Sequence, residues 1–228
     1  MNEKNNNQQA DGFESAWQEM MMHPLVVVWS ALIKLTGMGE RPIEIERLAA
    51  AIGRSSEEAV ALAQQWTRAR VADGLIYLDM ESSPFSRYGV EVGTRVMHTG
   101  GCAPDLFFAV LLAGMSVHVE SICPTTGTTI RVALSPDGVE MVEPLGTVIA
   151  VINPRAPEFQ EIENIEEVDA DVCSQQPLFA SAEAAANWQA SHPDGRIYPV
   201  AEFFEWVRRI LAVGDANAAS RLQAEGRA

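Results

Sequence analysis

The chain has 228 residues, long enough for one large domain or two small ones, and its hydrophobic fraction of 47% is ordinary for a globular protein. A net charge of −15 argues against nonspecific binding to nucleic acid or to an anionic membrane, because both depend on Lys and Arg. Three cysteines, odd in number and far apart, argue against a secreted disulfide framework.

Residues 1–13 are rich in Asn and Gln and are expected to form a disordered tail. The apolar run at residues 25–35 is too short to span a bilayer and follows no basic segment, so neither a signal peptide nor membrane association is expected. With free thiols, this points to a reducing cytoplasm. Helical text begins near Ser15 and resumes after Pro24, with Gly37 as a stop. A short helix at 42–53, a turn holding Gly53, and a second helix from Ser55 to about Arg70 make a helix-turn-helix pattern. Residues 74–78 and 90–92 are candidate strands of a wing. The would-be recognition helix opens with Glu57 and Glu58, which phosphates would repel. The module therefore reads as scaffold rather than as a DNA reader.

Gly100-Gly101-Cys102-Ala103-Pro104-Asp105 then opens an apolar helix that Gly114 ends. Residues 116–122, 128–134, 139–142 and 147–152 read as four strands of an antiparallel meander, separated by Pro- and Gly-containing turns. An acidic stretch follows, with Glu158, Glu161, Glu163, Glu166, Glu167, Asp169 and Asp171, and leads directly to Cys173. It reads as a solvated surface turn in preference to a lid. Ser181 caps a helix to about Ala190, and a last amphipathic helix from Val200 to about Leu211 buries Phe203, Phe204 and Val207. The expected fold class is α+β. An N-terminal winged-helix-like helical module (14–94) precedes a mainly antiparallel sheet domain with flanking helices (95–212), and a tail (213–228) closes the chain.

Chemistry concentrates at the cysteines. Cys102 falls at or just before a helix N-terminus, where unpaired N–H groups and the helix dipole favour a thiolate. Asp105, three residues on, shares the face of that first turn. Cys123 sits where a strand enters a turn and reads as a packing residue. Cys173 lies in polar text with no apolar periodicity to explain it, which makes it a functional candidate. No closely spaced cysteine pair suggests structural zinc, and His23, His98, His118 and His192 offer no clear general base. Cys102, Cys173 and Asp105 remain. Two converging thiolates could grip a thiophilic centre such as mercury or copper(I), and a nearby carboxylic acid could protonate the carbon of a carbon–mercury bond. A thiol protein that binds or senses Hg(II) or Cu(I) without catalysis is the alternative, and a metal-responsive transcription factor is a third reading.

Cys102-Ala103-Pro104-Asp105 resembles the C-A-x-D segment of the organomercurial (alkylmercury) lyases. The similarity extends through residues 118–127, 134–136 and 142–146, then Cys173 and 179–185, and it includes the helix-turn-helix text of 41–66. The resemblance implies cleavage of R–Hg–X to a hydrocarbon and Hg(II), with Cys102 and Cys173 as the catalytic cysteines, Asp105 as the catalytic aspartate, and all three as residues that hold the mercury of substrate and product. It implies a structural Cys123, no cofactor, small thiols for product release, and transfer of Hg(II) to mercuric reductase. Relatives commonly carry an aromatic residue immediately before the first cysteine; this chain has Gly101.

Overall fold

The computed structural model describes residues 3–80, 87–99, 101–155 and 162–225, so Gly100 and the acidic Glu158 and Glu161 lie outside the described residues. Helix α1 runs Glu3–Met20 and α2 runs Pro24–Thr36. Residues 3–13 are therefore helical where a disordered tail was expected. Glu3, Lys4, Gln8, Gln9 and Ala10 favour a helix against Asn5, Asn6, Asn7, Asp11 and Gly12, and Phe13 gives the stretch a buried anchor beside Tyr198 and Trp206. Helix α2 starts at Pro24 and stops where Gly37 takes a left-handed φ of 61°.

Strand β1 (Ile43–Glu44), helix α3 (Ile45–Ile52) and helix α4 (Ser56–Trp66) follow. Ser55 and Glu58 form a reciprocal capping box at the start of α4. The helix ends earlier than Arg70, because residues from Ala69 enter a hairpin of β2 (Ala69–Ala72) and β3 (Leu75–Leu78). Its two-residue turn, Asp73-Gly74, has positive φ at both positions, as the strand twist requires. The partner of 75–78 is thus 69–72 and β1, and the expected wing strand at 90–92 belongs elsewhere.

That strand is β4 (Tyr88–Val92), which pairs with β5 (Arg95–Thr99) and with β6 (Val117–Ile122). Strands β7 (Thr129–Ser135) and β8 (Gly138–Glu143) complete an antiparallel five-stranded sheet in the order β5-β4-β6-β7-β8. A boundary drawn between residues 94 and 95 would cut the β4–β5 hairpin at its turn. In β6 the side chains alternate strictly, with Val117, Val119 and Ser121 inward and His118, Glu120 and Ile122 outward. His118 meets Glu91 on the exposed face and takes no part in the core.

The fourth expected meander strand, β9 (Val148–Val151), leaves this sheet and pairs instead with β10 (Leu178–Phe179) and β11 (Arg196–Pro199). All four of its residues are buried, and a strand apolar on both faces must be covered on both. Between the sheets lies helix α5 (Ala103–Ala113), packed against α2, β7, β9 and the last helix, α8 (Val200–Glu225). Helix α8 continues well past Leu211, where a tail was expected. Phe107 of α5 meets Phe203 of α8 edge-on at 5.1 Å. A short helix α6 (Ile165–Glu167) continues into a π-helical turn, Val168–Val172, and a 3-10 turn, Cys173–Gln175. After Ser181 comes a turn before helix α7 (Ala186–Ser191), so the helix starts later than its Ser181 cap suggested. Among the described residues no helix is long and apolar enough to cross a membrane.

Candidate functional site

Cys102 is the N-cap of α5, held there by local chemistry. Its backbone N–H donates to Asp105 Oδ2 at 3.0 Å, so the aspartate caps the helix from its third position. Gly101 enters with φ of 86°, a left-handed conformation that favours glycine. Cys173 arrives from the other end of the fold on the helical segment 165–175, and not in a polar loop as its sequence surroundings suggested. A π-helical turn directly before a chemistry-bearing residue is a recurrent feature of functional sites.

The backbone joins the two cysteine segments. Gln176 follows the Cys173 turn, and its carbonyl accepts the N–H of Ala103 at 2.9 Å. As a result the ligand atoms of Cys102, Asp105 and Cys173 all lie within 4.8 Å of one another. Cys173 Sγ stands 3.9 Å from Asp105 Oδ2, the oxygen that also takes the Cys102 N–H. A zinc–thiolate bond is ~2.3 Å and bonds to larger soft ions are longer, so one such atom can touch both sulfurs. Cys123 is outside this group and is itself buried.

Both thiols are buried, whereas Asp105 is half-buried. Burial pushes the Cys102 thiol well above its usual pKa, and the hydrogen bond to Cys173 and the Asp105 carboxylate push it the same way. At Cys173 the hydrogen bond from Cys102 lowers the pKa, but burial and the carboxylates of Asp105 and Asp169 outweigh it, and the net direction is up. Burial likewise raises Asp105, against the hydrogen bonds from Cys102 that lower it. The helix N-terminus was expected to make Cys102 a thiolate. Desolvation by burial opposes this and is the larger effect at Cys102. Cys123 differs: burial raises its pKa, but the Thr126 hydroxyl and the backbone N–H groups of Ala180, Thr126 and Thr125 more than offset that.

A cavity of about 150 Å³ opens on the three residues. Its walls are mostly apolar and include Trp17, Met20, Met38, Met97, Leu106 and Phe108. Two polar groups in it escaped sequence reasoning. Asp169, read as part of a solvated acidic stretch, is 4% exposed and accepts from Arg68 Nη2 at 2.6 Å and Nε at 3.1 Å. Gln176 is 1% exposed and lines the same cavity. No sequence signal links Arg68 with Asp169, 101 positions apart. Among the described residues the three-residue group contains no histidine.

This arrangement can bind a soft metal through two sulfurs and keep beside it a carboxyl able to take up and release a proton, in a mostly apolar cavity. Comparison with known proteins points the same way. The alkylmercury lyase (MerB) family model matches residues 82–212. An alkylmercury lyase of Streptomyces lividans is 29% identical over 192 residues, covering 82% of this chain and 85% of that protein. One of Staphylococcus epidermidis is 27% identical over 210 residues, covering 90% and 88% respectively. The crystal structure of the mercury-bound form of MerB2 shares the fold, with a TM-score of 0.57 at 17% identity, over 90% of this chain and 99% of that one.

Proposed function

This chain belongs to the alkylmercury lyase family, and from that premise we propose that it cleaves the carbon–mercury bond of organomercury compounds by protonolysis. The observation that carries the reading is the convergence of two thiols and one carboxyl within 4.8 Å, in the wall of a mostly apolar cavity.

In the first step the Cys102 sulfur displaces the anionic ligand X from R–Hg–X, and X leaves with the thiol proton as HX. The Cys173 sulfur then adds to mercury and passes its proton to Asp105, whose Oδ2 lies 3.9 Å away. Two sulfurs push electron density onto the metal and weaken its bond to carbon. Asp105 next delivers the proton to that carbon, and the hydrocarbon R–H departs. Mercury(II) remains on two thiolates. Two small thiols exchange onto it and return their protons to Cys102 and Cys173, which frees the site. The mercury belongs to the substrate, and no resident cofactor enters any step. Transfer of the product to mercuric reductase in the cytoplasm is the onward route that fits this chemistry.

The N-terminal helices act as winged-helix-like scaffold. Two contacts support that role: Gln65 Nε2 donates to the Glu163 carbonyl at 2.8 Å, and Arg68 pairs with Asp169. Both tie the module to the segment that bears Cys173.

Phenylmercury with excess small thiol in D₂O tests the reading. The expected product is benzene with one deuterium. Tight uptake of mercury with no hydrocarbon released would instead identify a soft-metal binding protein.

A further inference from the structure

Gln176 carries a buried donor with no acceptor among the described residues. Its side chain is 1% exposed, and Oε1 accepts the Ile152 N–H at 3.1 Å. That bond fixes the orientation of the amide, since turning it over would aim the NH₂ group at another donor. Nε2 is consequently buried without an acceptor among the described residues. Buried polar groups are nearly always satisfied, and an orphaned one calls for a partner.

The location says what kind. Gln176 lines the cavity that holds Cys102, Asp105 and Cys173. Its carbonyl takes the Ala103 N–H at 2.9 Å, and its own N–H donates to the Cys173 carbonyl at 3.3 Å. The residue is therefore fixed by its main chain to both cysteine-bearing segments. What a loaded site brings to this cavity is electron-rich sulfur, because each thiol that binds mercury becomes a thiolate.

We propose that Gln176 is a substrate-binding residue whose amide NH₂ donates to a mercury-bound thiolate sulfur. This rests on the lyase reading and adds a contact to it. The sulfur has two possible sources, the thiol ligand that accompanies R–Hg or the protein's own cysteines. In either case the donor offsets negative charge that buried surroundings oppose, and it does so without supplying a proton to the reaction.

The test reads the side-chain amide pair of Gln176 by ¹⁵N–¹H spectroscopy in the unaltered protein, assigned through its own backbone resonances. On loading with phenylmercury and one small thiol, one of the two protons is expected to move downfield. Loading with inorganic Hg(II) alone distinguishes the sources: a shift here too assigns the acceptor to the cysteines, and a shift only with the small thiol present assigns it to the substrate's ligand. An amide pair that stays put while the Cys102 and Cys173 backbone signals move would overturn the proposal. Kinetics give a second arm. Gln176→Met should raise KM for phenylmercury about tenfold and leave kcat within about threefold, as expected for loss of one hydrogen bond to a charged acceptor. An unchanged KM in a folded variant would also overturn it. Failure of the wild type to release benzene would count against the lyase reading, not against this contact.

Discussion

A side-chain carbon at Gly101 would stand 2.9 Å from Asp105 Oδ2, closer than real carbon–oxygen neighbours approach. That oxygen takes the Cys102 N–H and faces the Cys173 sulfur. The bare backbone at 101 thus makes room for the carboxylate itself. In Gly101→Ala the carboxylate must shift, and kcat for benzene release should fall by about ten- to a hundredfold, in the range of a misplaced general acid. Left-handed strain at 101 affects folding as well, so a double-mutant cycle is needed. In an Asp105→Ala background the same substitution should change kcat by less than about threefold. Equal losses in both backgrounds would mean that Gly101 does not act through Asp105.

The raised carboxyl of Asp105 has a consequence for stability whose sign can be fixed. Burial makes the folded protein hold this proton more tightly than the unfolded chain does. Its contribution is complete below the unfolded pKa of about 4 and is lost as pH rises through the higher folded value. Asp105→Asn keeps an acceptor for the Cys102 N–H without the buried charge. The variant should melt at a higher temperature than wild type at pH 7, and the gap should close towards pH 4. A gap that widens on acidification would contradict this. Cys102 and Cys173 follow the same sign at higher pH: their stabilising contribution is lost as pH rises beyond the ordinary thiol range of about 8.5.

Arg68 and Asp169 link the N-terminal module to the Cys173 segment. Replacing Arg68 by Met takes the guanidinium from a carboxylate that is 4% exposed. Removing one partner of this part-buried pair takes a charge-assisted hydrogen bond from Asp169, and the expected loss is about 1.5 kcal/mol in urea denaturation. A change within about 0.5 kcal/mol would mean that the pair is not structural.

The cavity beside the sulfurs favours larger apolar groups. A volume of about 150 Å³ matches the size of an apolar cavity that accepts benzene. Burying a phenyl ring in place of a methyl group removes roughly 100 Å² more apolar surface from water, on the order of 2 kcal/mol. Phenylmercury should therefore show a KM at least about tenfold below that of methylmercury, measured with the same small thiol. Equal KM values would mean that the organic group lies outside this cavity.

The parts of the site that were legible in the sequence are local. Cys102 and Asp105 are three residues apart at a helix start, and that spacing alone puts them on one turn. Cys173 stood out as a cysteine without a packing pattern, but its helical setting was hidden by surrounding carboxylates. Asp169, one of those carboxylates, is buried because Arg68 meets it from 101 residues away, and periodicity carries no information about such a pair. The same limit explains β9: its continuous Val-Ile-Ala-Val text marks a strand covered on both faces, yet tight turns before it suggested one continuous meander. The Asp73-Gly74 turn is a hairpin signal that sequence reasoning passed over, since it carried the helix to about Arg70 and placed no strand at 69–72. Gln176 left no trace at all, because its amide nitrogen lacks an acceptor among the described residues only once Ile152 has claimed the oxygen.

Cys123 is the cysteine that lies outside the three-residue group. It is 1% exposed. Cys123→Ser should keep benzene release within about threefold of wild type while lowering stability by about 1–2 kcal/mol. Loss of turnover in a stably folded variant would place this thiol in the chemistry.

The central claim is that Cys102 and Cys173 together hold the mercury whose bond to carbon is broken. Benzene release from phenylmercury in excess small thiol tests it most directly, compared among wild type, Cys102→Ser and Cys173→Ser. Wild type should turn over repeatedly, and each serine variant should lose at least about a thousandfold in kcat/KM, since neither single sulfur can replace the pair. Undiminished release by both serine variants would contradict the account.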